Sequence, residues 1–116
     1  MSLADSTYNS EYIPDIWIKT QAGETLSDAE RLRLRVWLRA ALRNQDNNFQ
    51  QYRQGLLGDH IPRVIAAVVR TTIISSPAAR EYWEDGKGSY SDEFAAYIDS
   101  VIAEFDGGVN QASGTN

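Results

Sequence analysis

Residues 27–54 read SDAERLRLRVWLRAALRNQDNNFQQYRQ and decide the fold, because a helix-start signature is followed by a long helical repeat. The hydroxyl of Ser27 can accept the backbone N–H of Glu30, while the Glu30 carboxylate accepts the backbone N–H of Ser27. Apolar and amide side chains then recur at steps of three and four residues as far as Tyr52, and Gly55 permits the helix to end. The stretch predicts a single helix about 40 Å long.

Four further segments show helical spacing. They are predicted at about residues 11–22, 61–73, 77–85 and 92–106. Asp59 is the expected cap of the second segment, and Gly107-Gly108 is the expected end of the last. The β-branched side chains of the second segment also permit a buried strand, but its length without two-residue alternation favours a helix. We therefore predict an all-α fold, a compact bundle of four to five helices in which the long helix and the one after it form a long antiparallel pair.

The two ends of the chain differ in composition from its middle. Residues 1–10 are predicted to be a flexible lead-in. Residues 107–116 are small and polar, and we expect a flexible tail there because they have too little apolar area to offset the entropy of ordering them. A single helical domain is expected over residues 11–106.

Composition excludes several classes of site and partner. The chain has no cysteine, which excludes disulfides, thiolate zinc sites, iron–sulfur clusters and cysteine nucleophiles, and which is typical of a reducing, cytoplasmic environment. The formal net charge of -5 argues against a general attraction to nucleic acid. The longest apolar stretch, residues 64–69, is far shorter than the ~20 residues that cross a bilayer, so we expect no direct membrane insertion by this chain.

No recognisable catalytic constellation is present, and the sequence does not favour an enzyme. The single histidine, His60, has neither a second histidine nor a nucleophile near it in sequence. The acidic residues around positions 81–93 match no calcium-loop spacing. We therefore predict no metal and no cofactor.

Arg31, Arg35, Arg39 and Arg43 follow one another at intervals of four residues, which places each guanidinium close to the next on the helix surface. One interpretation is structural: the arginines pair with the acidic C-terminal helix, or remain solvated with their stems over the core. The other is functional, namely that this face contacts the carboxylates or phosphates of a partner.

The second half of the long helix is rich in amides, which are poor helix formers in such positions. Asn44, Asn48 and Gln51 share one side of the helix. If that side is buried, they could form a hydrogen-bond network that fixes the helix register. Alternatively, they could line a ligand pocket together with Tyr52 and Trp83, although large aromatic residues are most simply core anchors.

Several short segments together resemble a family of uncharacterised bacterial all-helical proteins, over about residues 11–105. The segments are Leu26-Ser27-Asp28-Ala29-Glu30-Arg31, NFQQYRQGLL at residues 48–57, REYW at residues 80–83 and FAAYID at residues 94–99. Members often carry this part after an N-terminal membrane-anchoring helix, which implies that the chain is the cytoplasmic, soluble part of a membrane-attached protein. The chain departs from the family at Asn47, where relatives often have glutamate. The resemblance implies no activity.

Three functional hypotheses follow from these observations. The first is a helical interaction module without catalytic activity, which binds a second copy of itself or an unidentified protein partner. The second is small-molecule binding, or unrecognised catalysis, in the pocket beside the long helix. The third is nucleic-acid regulation through the arginine ladder, which predicts binding that weakens steeply with added salt.

Overall fold

The computed structural model describes residues 13–114. Its helices are α1 (residues 13–21), α2 (Asp28–Arg53), α3 (Ile61–Val69), α4 (Pro77–Gly86) and α5 (Asp92–Gly114). A π-helical turn, Arg70–Ile74, follows α3 directly, and a 3-10 turn, Lys87–Ser89, joins α4 to α5. The lead-in predicted at residues 1–10 lies outside the described residues.

The predicted start of the long helix is confirmed by both of its expected hydrogen bonds. Glu30 N donates to Ser27 Oγ at 3.2 Å, and Ser27 N donates to Glu30 Oε1 at 2.8 Å. After the other end of α2 the chain turns at Gly55, whose φ of 80° lies in the left-handed region that favours glycine. The 26 residues of α2 therefore begin and end where the local chemistry predicts.

The helix after α2 differs from the prediction at both ends. His60 rather than Asp59 precedes α3, and its side chain makes no capping hydrogen bond. Beyond Val69 the helix widens into the π-helical turn, where the hydroxyls of Thr71 and Thr72 donate to backbone carbonyls of the preceding turn. Such side-chain bonds compete with the regular backbone ladder, an effect that apolar periodicity does not indicate.

The last helix is longer than predicted. It begins after Ser91 and continues through Gly107 and Gly108 as far as Gly114. Glycine costs a helix about 1 kcal/mol relative to alanine but does not forbid it. The helix end predicted at the glycine pair is therefore wrong.

Two clusters of apolar side chains form the core. The smaller one joins α1 and the first half of α2 to α4. It consists of Ile16, Leu26, Leu34, Leu38 and Ala79. The larger one lies among the second half of α2, α3, α4 and α5. It includes Leu42, Phe49, Ile65, Val69, Ile73, Trp83, Tyr90, Phe94, Ile98, Val101 and Ile102. Tyr82 packs against both clusters and so connects them.

The predicted all-α bundle is confirmed. No strand occurs within residues 13–114, and α3 turns back onto α2 after residues 54–60 while also packing against α5. α4 packs against α2 and against the π-helical turn. None of the helices in the described part of the chain combines the length and the apolar character that a membrane span requires.

Candidate functional site

The first half of the arginine ladder lies beside α4. Arg31 Nη2 donates to Glu81 Oε1 at 2.8 Å, and Arg35 Nη2 lies 3.7 Å from Asp85 Oδ2. These pairs are exposed, so each contributes at most about 1 kcal/mol to stability. The structural interpretation is therefore corrected in one respect: the arginines do pair with carboxylates, but these carboxylates belong to α4 and not to the C-terminal helix.

The second half of the ladder has a different environment. Arg39 is exposed, and the Arg43 guanidinium carbon lies 5.3 Å from the centre of the Tyr90 ring, in a cation–π contact. The hydroxyls of Tyr90 and Tyr82 are 2.8 Å apart. Burial raises the pKa of the Tyr90 phenol, and the hydrogen bond with Tyr82 raises it further.

Hydrogen bonds of the amide-rich segment run through Asp46 and Gln50. Ser91 donates twice to Asp46, from its N to Oδ2 at 3.1 Å and from its Oγ to Oδ1 at 2.8 Å. Gln50 Nε2 donates to Ser91 Oγ at 2.7 Å. This network connects α2 to the first residue before α5. These bonds involve Asp46 and Gln50, whereas the sequence pattern predicts a network of Asn44, Asn48 and Gln51.

The amides chosen for a polar pocket have mixed surroundings. Asn44 is exposed, whereas Asn48 and Gln51 are half-buried on α2. The Tyr52 ring is half-buried and lies 6.3 Å from the Phe49 ring, centre to centre. Tyr52 is therefore engaged in aromatic packing at the edge of the larger core cluster.

Trp83, the fifth residue assigned to that pocket, is a core residue. Its side chain is 0% exposed, and its Nε1 donates to Asp99 Oδ1 at 2.8 Å. The other carboxylate oxygen of Asp99 accepts from Lys87 Nζ at 3.2 Å. Because Trp83 has no exposed surface, it cannot line a pocket that is open to solvent. Its assignment to such a pocket is therefore corrected, and Trp83 is a core anchor.

Among the residues that the structure describes, an apolar surface lies uncovered on the outer side of α1 and α2. Leu32 is 64% exposed and Val36 58% exposed, and they lie one helical turn apart. Val36, Trp37 and Ala40 of α2 form a groove of about 220 Å³ with Ile13 of α1, and Arg33 completes its lining. We call Ile13, Leu32, Val36, Trp37 and Ala40 the α1–α2 face.

The α1–α2 face is not predicted from the sequence, because Trp37 is a large aromatic residue at helical spacing from Leu34 and such residues are expected to be core anchors. Trp37 is 36% exposed and packs edge-on against Trp17, with the ring centres 5.6 Å apart and the planes at 83°. The available indication was the spacing of Leu32, Val36 and Ala40, which recur every four residues on the side opposite Leu34 and Leu38. Arg33, Arg35 and Arg39 lie between these residues in the sequence, and their charges are typical of a polar, solvent-facing side.

Metal binding has no support in the described part of the chain. Residues 13–114 contain no group of three histidine, cysteine, aspartate or glutamate side chains that could hold an ion. His60 is exposed at the start of α3.

Comparison with known proteins gives no assignment. A scan against models of protein families, a search of curated proteins and a search of solved structures each find no match to this chain. The resemblance to a bacterial family stays a prediction that rests on the segments quoted for it. Any function must therefore be argued from the surface of this chain itself.

Proposed function

We propose that the protein is a helical interaction module without catalytic activity, and that it binds another protein surface through the α1–α2 face. The observation that carries the proposal is the exposure of Leu32, Val36 and Trp37 next to one another on a well-packed bundle. Single exposed apolar residues are common on protein surfaces, whereas a contiguous group around a groove is typical of a binding site.

The energetics of the face suit the centre of a protein interface. Covering an exposed leucine or valine side chain gains about 1–2 kcal/mol, and tryptophan is among the residues that most often dominate binding. Trp37 is held by the edge-on contact with Trp17, so it has little freedom to lose on binding. A stable interface buries about 800 Å² on each partner, so the polar residues around the face would form its rim.

The ladder and the polar pocket are weaker candidates than this face. Arg31 and Arg35 already have carboxylate partners on α4, and displacing those partners would offset the gain from new ones. The pocket hypothesis loses Trp83 to the core, Tyr52 packs against Phe49, and Asn44 is exposed.

The experiment is a selection from a displayed library of single-helix peptides with randomised exposed positions. The bait is the full chain, and the counter-selection bait carries Leu32→Ser and Val36→Ser together. Because both side chains are exposed, the variant keeps the fold and serves as a matched control. We expect enrichment of peptides that bind the natural chain and not the variant. Equal enrichment on both baits, or none, would contradict the proposed function.

A further inference from the structure

Two arginines of the ladder, Arg39 and Arg43, have charged donors that the fold does not use. Both side chains are exposed on the second half of α2, and neither forms an ion pair with a carboxylate in the part of the chain that the structure describes. Arg31 and Arg35, by contrast, have their partners on α4. Each guanidinium carries several N–H groups and no acceptor, so this part of α2 can bind additional oxygen atoms.

The hydroxyls of Tyr82 and Tyr90 provide a further donor. They lie 2.8 Å apart, so one hydroxyl donates to the other. The pair has two protons, and the proton that this bond does not use has no acceptor among the described residues. Both rings are anchored, because Tyr90 is 6% exposed and Tyr82 packs against both core clusters. The remaining hydroxyl proton is therefore held in a fixed place.

The arginines lie close to these phenols. The Arg43 guanidinium carbon is 5.3 Å from the centre of the Tyr90 ring, and this contact restrains the side chain. Arg39 precedes Arg43 by one helical turn on the same side of α2. The pKa of the Tyr90 phenol is raised chiefly by burial. The positive charges of Arg43 and Arg39 oppose that rise, as is expected of guanidiniums near the phenol. Two guanidiniums and one hydroxyl are thus available to the same bound group.

Two carboxylates lie on the adjoining turns, and each already has donors of its own. Asp85 Oδ2 lies 3.7 Å from Arg35 Nη2, and Asp46 accepts two hydrogen bonds from Ser91. The last three arginines of the ladder against these two carboxylates leave one positive charge. The local charge therefore favours an anion but is small, so we expect weak binding of a small ligand rather than attraction to a large polyanion.

We propose that Arg39, Arg43 and the hydroxyl pair of Tyr82 and Tyr90 bind the terminal phosphate of a small molecule. We call these four residues the arginine–tyrosine site. Two guanidiniums and a hydroxyl match the three free oxygens that inorganic phosphate and a phosphate monoester share. A phosphodiester has only two free oxygens, and a nucleic acid would also meet repulsion from a chain with a formal net charge of -5. The inference does not depend on the α1–α2 face.

The test is an NMR titration of the full chain at about pH 7.5, where a phosphate monoester carries nearly two negative charges. The probes are inorganic phosphate, phenyl phosphate and dimethyl phosphate, each at the same ionic strength. We expect saturable shifts of the Tyr82 and Tyr90 ring signals with the first two probes, and none of the Tyr52 and Tyr97 signals. Dimethyl phosphate, a diester, should bind about tenfold more weakly because it lacks one charged acceptor. The tighter of the first two probes identifies free phosphate or an ester as the source of the phosphate group.

Two variants and a matched control separate the site from a general effect of charge. Arg39→Gln and Arg43→Gln each replace an exposed side chain, and each should weaken phosphate binding about tenfold because a charged hydrogen bond is lost. Arg63→Gln removes an exposed arginine of α3 outside the site and should leave binding unchanged. The inference is overturned if the Tyr82 and Tyr90 signals show no saturable shift, if the diester binds equally well, or if Arg63→Gln weakens binding as much as the other two variants.

Discussion

Asp46, in the middle of α2, binds the residue that precedes α5: its two carboxylate oxygens accept the N–H and the hydroxyl of Ser91 at 3.1 and 2.8 Å. Because these donors are partly buried, removing the carboxylate leaves them without their acceptor. We expect Asp46→Ala to lower the free energy of unfolding by about 1–3 kcal/mol in urea denaturation. Asp46→Asn keeps one acceptor oxygen and should give a smaller loss.

Asn47 provides the control for this prediction, since it is the exposed neighbour of Asp46 on the same helix. Asn47→Ala should change stability by no more than about 0.5 kcal/mol. If Asp46→Ala is as stable as Asn47→Ala, the network does not hold α5 to α2.

Trp83 and Asp99 form the second polar contact on which the fold depends. Asp99→Ala leaves the buried indole N–H without an acceptor, and we expect a loss of about 1–3 kcal/mol in the free energy of unfolding. Asp99→Asn also loses the ion pair with Lys87 but keeps an oxygen acceptor, so the difference between the two variants isolates the bond to Trp83. Equal stabilities of Asp99→Ala and Asp99→Asn would contradict a role for this bond.

The raised pKa of Tyr90 predicts that the protein loses stability in alkaline solution. Burial raises the pKa of its phenol in the folded state above the value of about 10 that it has in the unfolded chain. Above that pH the unfolded state loses the proton while the folded state keeps it, so the free energy of unfolding falls as the pH rises. Tyr90→Phe removes this titration, and its stability should fall less steeply between about pH 10 and 11. Parallel slopes for the two proteins would contradict the shift.

The α1–α2 face should contribute little to the stability of the isolated chain. Leu32→Ser and Val36→Ser should each change the free energy of unfolding by about 0.5 kcal/mol or less, because both side chains are largely exposed. Leu38, which is fully buried on the opposite side of α2, is the matched comparison: Leu38→Ala should cost about 2–5 kcal/mol. If the serine variants unfold as easily as Leu38→Ala, the face belongs to the core.

Local chemistry made the helices predictable. Ser27 with Glu30 marks the start of α2 by a pair of bonds within one turn, and Ser76, which caps α4 by accepting from Ala79 N at 3.0 Å, is equally local. The apolar stripe of α5 through Phe94 and Ile98 is buried as its spacing indicates. Features of this kind depend on residues within four positions of one another, which a sequence displays directly.

Contacts between distant segments could not be predicted in the same way. The pairing of Asp46 with Ser91 depends on how α5 lies against α2, and nothing in either segment specifies it. The exposure of Trp37 depends on how α1 lies against α2, because Trp17 of α1 packs against its ring and Trp37 still remains 36% exposed. The candidate site was therefore missed, although the helix that carries it was predicted correctly.

The most direct test of the central claim is site-specific photocrosslinking from position 36 in cells of the native host. A photoreactive amino acid replaces Val36 in one variant and Ala103, an exposed residue of α5, in the other. The account predicts a discrete adduct of the chain with a different protein from position 36 and none from position 103. No discrete adduct from position 36, or the same products from both positions, would contradict the claim that the α1–α2 face binds a protein.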